Sequence, residues 1–287
     1  MEESMGKISI VADSTCDLSQ ELLDKYNISI IPLNIVLDMK SYLDGKEITP
    51  DQIYEWAEKV NSTPKTAAPE MGYIVELLRP MVEAGDDIIF FGISEEMSVT
   101  CQTVRMAAEE LSYQNIWVIN SENLSTGIGL QVLRAAEYAR QGKSADWIVK
   151  EIEACREKVR ASFVVDTLTY LHRGGRCSAV AALFGNALKL KPMISVNKGK
   201  MGVAKKYRGK QQSVIRNYGK DLEPMLLQAD PERVFITHSG IDPAIEQETY
   251  DYLKSLNYFK EILITRAGGV ISSHCGPNTL GILYYDK

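Results

Sequence analysis

Apolar residues in the first half of the chain gather into short, almost unbroken runs, with stretches of helical spacing between them. Residues 8–12, 87–92 and 115–119 are such runs. A run without alternation belongs to a strand buried on both faces, as in a parallel sheet. The run over 28–37 is broken by Pro32, which suits an edge position. Helix starts punctuate the intervals. Asp17 with Gln20 reads as a capping box opening a helix through Tyr26. Thr49, Pro50 and Gln52 make a second start, for a helix ending near Val60. Leu43-Asp44-Gly45-Lys46 is a turn signal, and 61–69 reads as a loop before a helix through about Val82. The loop 93–100 precedes a helix to Leu111, and further helices are predicted over 126–141 and 145–159. Strand-helix alternation of this kind implies a parallel sheet with helices on both faces.

From about residue 160 the pattern changes. A strand is expected over 162–166, then a short helical piece, then Arg173-Gly174-Gly175-Arg176 and a small-residue helix over 178–188. Residues 192–196 and 201–205 flank Asn197-Lys198-Gly199-Lys200 as a hairpin. Strands at 234–237 and 262–265 bracket a helix over 243–256, and 281–285 is a closing strand. The reading is therefore α/β with two domains. Residues 1–160 form a three-layer α/β/α unit on a parallel sheet, and 161–287 a mixed α/β unit.

Composition narrows the function classes. A net charge of -6 and a pI near 5.3 argue against a cationic surface for nucleic acid. No apolar run approaches the roughly 20 residues needed to span a bilayer, so stable membrane insertion is not expected. Met1–Lys7 has neither the charged nor the apolar region of a signal peptide. Cys16, Cys101, Cys155, Cys177 and Cys275 are scattered and show no C-x-x-C, which indicates neither a disulfide framework nor a zinc knuckle. A cytoplasmic location follows as the expectation. His172, His238 and His274 lack metal-ligand spacing, and no metal or cofactor is expected.

In open α/β sheets ligands bind beyond the carboxyl ends of the strands. That rule selects the loops 13–17, 93–100 and 120–129, all rich in hydroxyls and all leading into helices, whose N-termini suit an anion. Capping alone would also account for those hydroxyls. Asp13, Ser14, Thr15, Glu95, Ser125 and Gly127 are the candidate cleft-lining residues. Thr66 sits between Pro64 and Pro69 among small neighbours, either as a ligand contact or in a rigid connector. Arg173 and Arg176 flank two glycines and offer fork-shaped donors for a carboxylate or phosphate, with a plain turn as the alternative. His274 follows Gly268-Gly269 and is either an anion donor or a turn histidine. A hydrolase would use Asp13 or His274 as general base, yet no G-x-S-x-G elbow or nucleophile-base motif occurs.

Several segments together resemble the DegV family. They are Asp13-Ser14-Thr15-Cys16-Asp17 after its strand, Lys65-Thr66-Ala67-Ala68-Pro69, and Gly92-Ile93-Ser94-Glu95-Glu96-Met97-Ser98. Thr167 to Arg176, Leu190-Lys191-Pro192 and His274-Cys275-Gly276-Pro277 complete the set, in the family's order and over nearly the whole chain. The resemblance implies a long-chain fatty acid in a tunnel between two domains. It also implies a partner kinase subunit that phosphorylates the presented acyl group, the chain itself being non-catalytic. By position, Thr66, Ser94, Ser98, Arg173, Arg176 and His274 would hold the carboxylate. Lys189, Lys191, Arg208 and Lys210 are candidates for docking the kinase. The rival ligand class is a different small anion. The chain departs from the family where paired serines give way to Ser94-Glu95 and where Val99 replaces a glycine. A Glu95 facing the head group would set two carboxylates against each other.

Overall fold

The structure is a computed structural model and describes residues 7–180 and 190–287. In chain order the first part is β1 (Ile8–Asp13), α1 (Gln20–Tyr26), β2 (Ser29–Ile31), β3 (Asn34–Leu37), β4 (Lys40–Leu43), α2 (Pro50–Val60) and β5 (Lys65–Ala67). It continues with α3 (Met71–Glu83), β6 (Asp87–Gly92), α4 (Thr100–Glu110), β7 (Ile116–Asn120), α5 (Thr126–Arg140) and α6 (Ala145–Cys155). The second part is β8 (Val159–Val164), α7 (Thr169–Gly174), β9 (Leu190–Asn197), β10 (Lys200–Arg208) and α8 (Gln211–Leu226). It closes with β11 (Ala229–His238), α9 (Pro243–Ser255), β12 (Glu261–Arg266), α10 (Gly269–Cys275) and β13 (Leu280–Asp286).

The unbroken apolar runs become a parallel sheet of order β2-β1-β6-β7. Successive strand side chains point to opposite faces. Val11, Ile88 and Phe90 pack on Ile74 and Leu78 of α3 and Val104 of α4, while Ile10, Ala12, Ile89 and Phe91 pack on α5 and α6. The second sheet runs β10-β9-β8-β13-β11-β12, antiparallel except for β11 with β12. One of its faces carries Val164, Val234, Ile236 and Ile282 against α8 and α9. Its other face, with Ala161, Phe163, Phe235 and Leu283, joins the apolar cluster of α5. Helix α5 is thus sandwiched between the sheets, which is why it is buried almost all round. Each large apolar side chain so buried contributes ~1.5–3 kcal/mol. The two-domain α/β architecture is that expected from the sequence.

Several local expectations change. The run over 28–37 is not one strand: Pro32 ends β2, and β3 turns away into a small antiparallel sheet of order β4-β3-β5. Part of the 61–69 loop is β5 in that sheet. Helix α1 is capped by Ser19, whose hydroxyl accepts from Leu22 N–H at 3.3 Å, and not by Asp17. The helix predicted over 145–159 ends at Cys155, and a 3-10 turn delivers the chain into β8 by Val159. Helix α8 and helix α10 were not predicted. Residues 178–180 are helical, and the remainder of the helix predicted over 178–188 lies outside the described residues, as does Met1–Gly6. The Thr49-Pro50-Gln52 capping box and the hairpin around Asn197-Lys198-Gly199-Lys200 form as predicted.

Candidate functional site

A cavity of about 470 Å³ opens beyond the carboxyl ends of the parallel strands, between the two sheets. Leu33 follows β2, Ile93, Met97, Ser98 and Val99 follow β6, and Leu124 follows β7. Thr66, Ala67 and Ala68 come from the β5 end, Met201 from β10, and Val270, Ile271, His274 and Cys275 from α10. The wall is mostly apolar. Its polar groups are Thr66, Ser98, Glu95, Arg176 and His274. A few polar groups on an apolar wall, in a volume of ~300–1,000 Å³, are the usual form of a small-molecule site. Leu124, Ile271 and Cys275 also border a narrower crevice of about 20 Å³ that reaches Phe163 and Leu283 of the second sheet.

Thr66 and His274 meet in this cavity. Thr66 is placed by the register of β5 on β3, opposite Ile35. His274 lies in the last turn of α10, with Nε2 2.8 Å from Thr66 Oγ1. Its Nδ1 is buried and, among the described residues, has no hydrogen-bond partner. Burial, and then the charge of Arg176, push the imidazole down to about 4, so it is neutral at pH 7. Gly174 stands against the ring, where any Cβ would collide with Nδ1. Its neighbour Gly175 takes the left-handed conformation, φ 68, that ends α7. The paired glycines therefore have two separate reasons: one admits His274, and the other turns the chain so that Arg176 reaches the cavity. Arg176 donates to Gly174 O at 2.8 Å and lines the wall. Arg173 is exposed and does not line it.

The loop after β6 divides its hydroxyls. Ser98 lines the cavity, 2.8 Å from Thr100 Oγ1. Ser94 is fully buried and turned away, donating to Gly199 O at 2.8 Å in the β9–β10 turn. A Cβ at Gly199 would lie 2.5 Å from that hydroxyl. Glu95 sits at the rim with its carboxylate 2.7 Å from Arg105 of α4, so its charge has a partner outside the cavity. Val99 is exposed beside it.

Of the loops after β1 and β7, only Leu124 lines the cavity. Asp13 is fully buried, and its carboxylate accepts from Thr15 N–H, Thr15 Oγ1 and, at 2.8 Å, Ile93 N–H. Burial pushes its carboxyl up to about 6. Ser14 donates to Asp44 at 2.7 Å, and Ser125 to Asp17 at 2.5 Å. Gly127 has no room for a side chain because Asn123 packs over it. None of Asp13, Ser14, Thr15, Ser125 or Gly127 lines the cavity wall.

Sequence reasoning missed most of the apolar wall, above all Met97, Leu124, Met201, Ile271 and Cys275. For α10 a signal was present: Val270, Ile271, His274 and Cys275 share one helical face. It is short and starts at two glycines, so it reads as a loop.

Chemically, the arrangement offers an apolar volume with hydrogen-bonding groups at one end. Thr66 and His274 also have the separation of a nucleophile and its base. A base of that kind needs an orienting partner on its other nitrogen, and among the described residues His274 Nδ1 has no hydrogen bond. Asp13 does not line the cavity, and its carboxylate is taken by Thr15 and Ile93. Among the described residues no helix is long and apolar enough to cross a membrane.

A family model described as an uncharacterised protein of the DegV family matches residues 7–287. A DegV domain-containing protein of Clostridium perfringens is 33% identical over 99% of this chain and 100% of its own length. A fatty-acid-binding DegV family protein from Thermus thermophilus superimposes with a TM-score of 0.90 at 29% identity, over 98% of this chain and all of the other. DegV from Bacillus subtilis, described as a fatty acid binding protein, gives 0.85 at 29% identity, over 99% and 100%.

Proposed function

The chain belongs to the DegV family, and from that premise we propose that it binds a long-chain fatty acid in the interdomain cavity. The carboxylate sits among Thr66, Ser98, Arg176 and His274, and the tail runs along Leu33, Ile93, Met97, Leu124, Met201 and Ile271. The observation that carries this reading is the Thr66–His274 pair at the end of a mostly apolar cavity of about 470 Å³. The descriptions of the Thermus and Bacillus proteins support the ligand class. Residues 1–160 and 161–287 are the two domains that enclose it, in a cytoplasmic protein.

The chain has no catalytic step of its own in this proposal. It presents the carboxylate at the rim to a separate kinase subunit, which forms the acyl phosphate. Of the basic residues considered for docking, Arg208 and Lys210 are exposed. Lys191 is engaged by Asp166, and Lys189 lies outside the described residues. Ser94 acts as a clasp to Gly199 O and Arg173 as a surface residue, leaving Ser98 and Arg176 as the head-group donors from their loops.

Solvent extraction of the purified chain followed by mass spectrometry tests the reading. The expected result is a stoichiometric fatty acid, or one that exchanges in from solution. Affinity for added acids should rise about fourfold per CH₂, at ~0.8 kcal/mol each, until the cavity is full. A chain that neither carries nor takes up any C14–C18 acid overturns it.

A further inference from the structure

Helix α10 supplies one wall of the cavity and the histidine at its end, yet its sequence does little to make it a helix. It has seven residues, begins at Gly268-Gly269, and has no side-chain cap of its own. A helix of that length is not stable alone. Its free N–H groups are taken by two carboxylates from the other domain. Gly268 N–H donates to Asp17 Oδ1 at 2.8 Å, Gly269 N–H to Asp44 Oδ1 at 2.8 Å, and Val270 N–H to Asp44 Oδ2 at 3.4 Å.

Each acid is locked in turn. Ser125 donates to Asp17 and Ser14 to Asp44. Both are buried, 5% and 2% exposed, in surroundings that penalise their charge and raise their pKa. The helix partial charge and the N–H donors partly offset that cost. Gly269 fits because it lacks a side chain: a Cβ there would lie 2.8 Å from Asp44 Oδ1 and 2.5 Å from Ile35 Cδ1. Neither acid lines the cavity, while Val270, Ile271, His274 and Cys275 of the same helix do.

We infer that Asp17 and Asp44 are positioning residues for ligand binding: they hold α10 by its first N–H groups and so set where His274 meets the carboxylate. The inference rests on the reading of the cavity as a carboxylate site. The anion-friendly helix end is thereby occupied by the protein itself, and the carboxylate is met by His274 at the other end of the helix.

The test uses the full chain with Asp44→Asn, which keeps the shape but replaces one acceptor oxygen with a donor. Oleate is the probe, and His274 is followed by its imidazole NMR resonances. The expected result is a shifted His274 signal in the free protein and oleate affinity reduced about tenfold or more, with a cooperative unfolding transition retained. In a His274→Phe background, which has no donor at this position, Asp44→Asn should then cost little further affinity, because the pair acts through one group. A purely structural role predicts losses that add. If Asp44→Asn does not fold, Ser14→Ala removes the lock on Asp44 together with the bond from Leu33 N–H to the same hydroxyl, and the His274 resonances are then the deciding readout. Unchanged His274 resonances, unchanged affinity, or additive losses overturn the inference. A wild-type chain that binds no oleate sinks the fatty-acid reading instead, and the His274 resonances then decide the positioning role alone.

Discussion

Thr66 Oγ1 and His274 Nε2 lie 2.8 Å apart although 208 positions separate them in the chain. One is held by a three-residue edge strand and the other by a seven-residue helix, and neither element is stable without its neighbours. The pair forms only when the small antiparallel sheet of the first domain meets α10 of the second.

Removing either partner should therefore weaken ligand binding more than it weakens the fold. Thr66→Val and His274→Phe each delete a hydrogen bond to the proposed carboxylate, worth ~1.5–3 kcal/mol for a charged partner. Fatty acid affinity should fall about tenfold to a hundredfold, read by displacement of a fluorescent acid. Affinity unchanged in both variants would place the carboxylate elsewhere.

His274 also gives stability a pH dependence. Its folded pKa is lowered to about 4 from 6.5 by burial, so the unfolded chain takes up the proton first as pH falls. The stability tied to neutral His274 is present above 6.5 and lost as pH falls through 4, by about 3 kcal/mol. Urea unfolding of wild type and His274→Gln at pH 7 and 4.5 should show the difference between them shrinking or reversing at the lower pH.

Asp13 acts in the opposite sense. Its folded pKa is raised to about 6 from 3.8, so the folded chain holds the proton more tightly. Its contribution is fully present below 3.8 and is lost as pH rises through 6, again by about 3 kcal/mol. Asp13→Asn loses a hydrogen bond at every pH because its amide N–H would face a donor. Relative to wild type, the variant should fare worst near pH 4 and recover part of the deficit by pH 7.

The clasp between the β6 loop and the β9–β10 turn is open to a separate measurement. Gly199 has φ 76 and carries the carbonyl that Ser94 meets. Gly199→Ala should destabilise by about 1–3 kcal/mol, from the left-handed backbone and the collision with Ser94 Oγ. Ser94→Ala, which loses the bond to Gly199 O and the one its hydroxyl accepts from Glu96 N–H, should cost less, about 1–1.5 kcal/mol. Chemical denaturation of both variants checks the order.

Expectation and structure agree where physical information is local. Unbroken apolar runs made the parallel strands because both faces of such a sheet are covered, and Thr49 with Gln52 capped α2 because that bond closes within four residues. The family resemblance brought Thr66, Ser94, Ser98, Arg173, Arg176 and His274 forward as carboxylate contacts, and four of the six line one cavity while Ser94 and Arg173 do not. Tertiary packing alone decided the rest. Ser94 and Ser98 are the same residue type in one loop, yet one faces the cavity and the other a hairpin from the second domain. Asp17 and Asp44 read as a cap and a turn, but their partners begin at Gly268, more than two hundred residues away. Glu95 would oppose a ligand charge only if it faced the head group, and its carboxylate pairs with Arg105. A side chain with several partners in reach takes the one that burial leaves available, and that choice is made only when the domains close on one another.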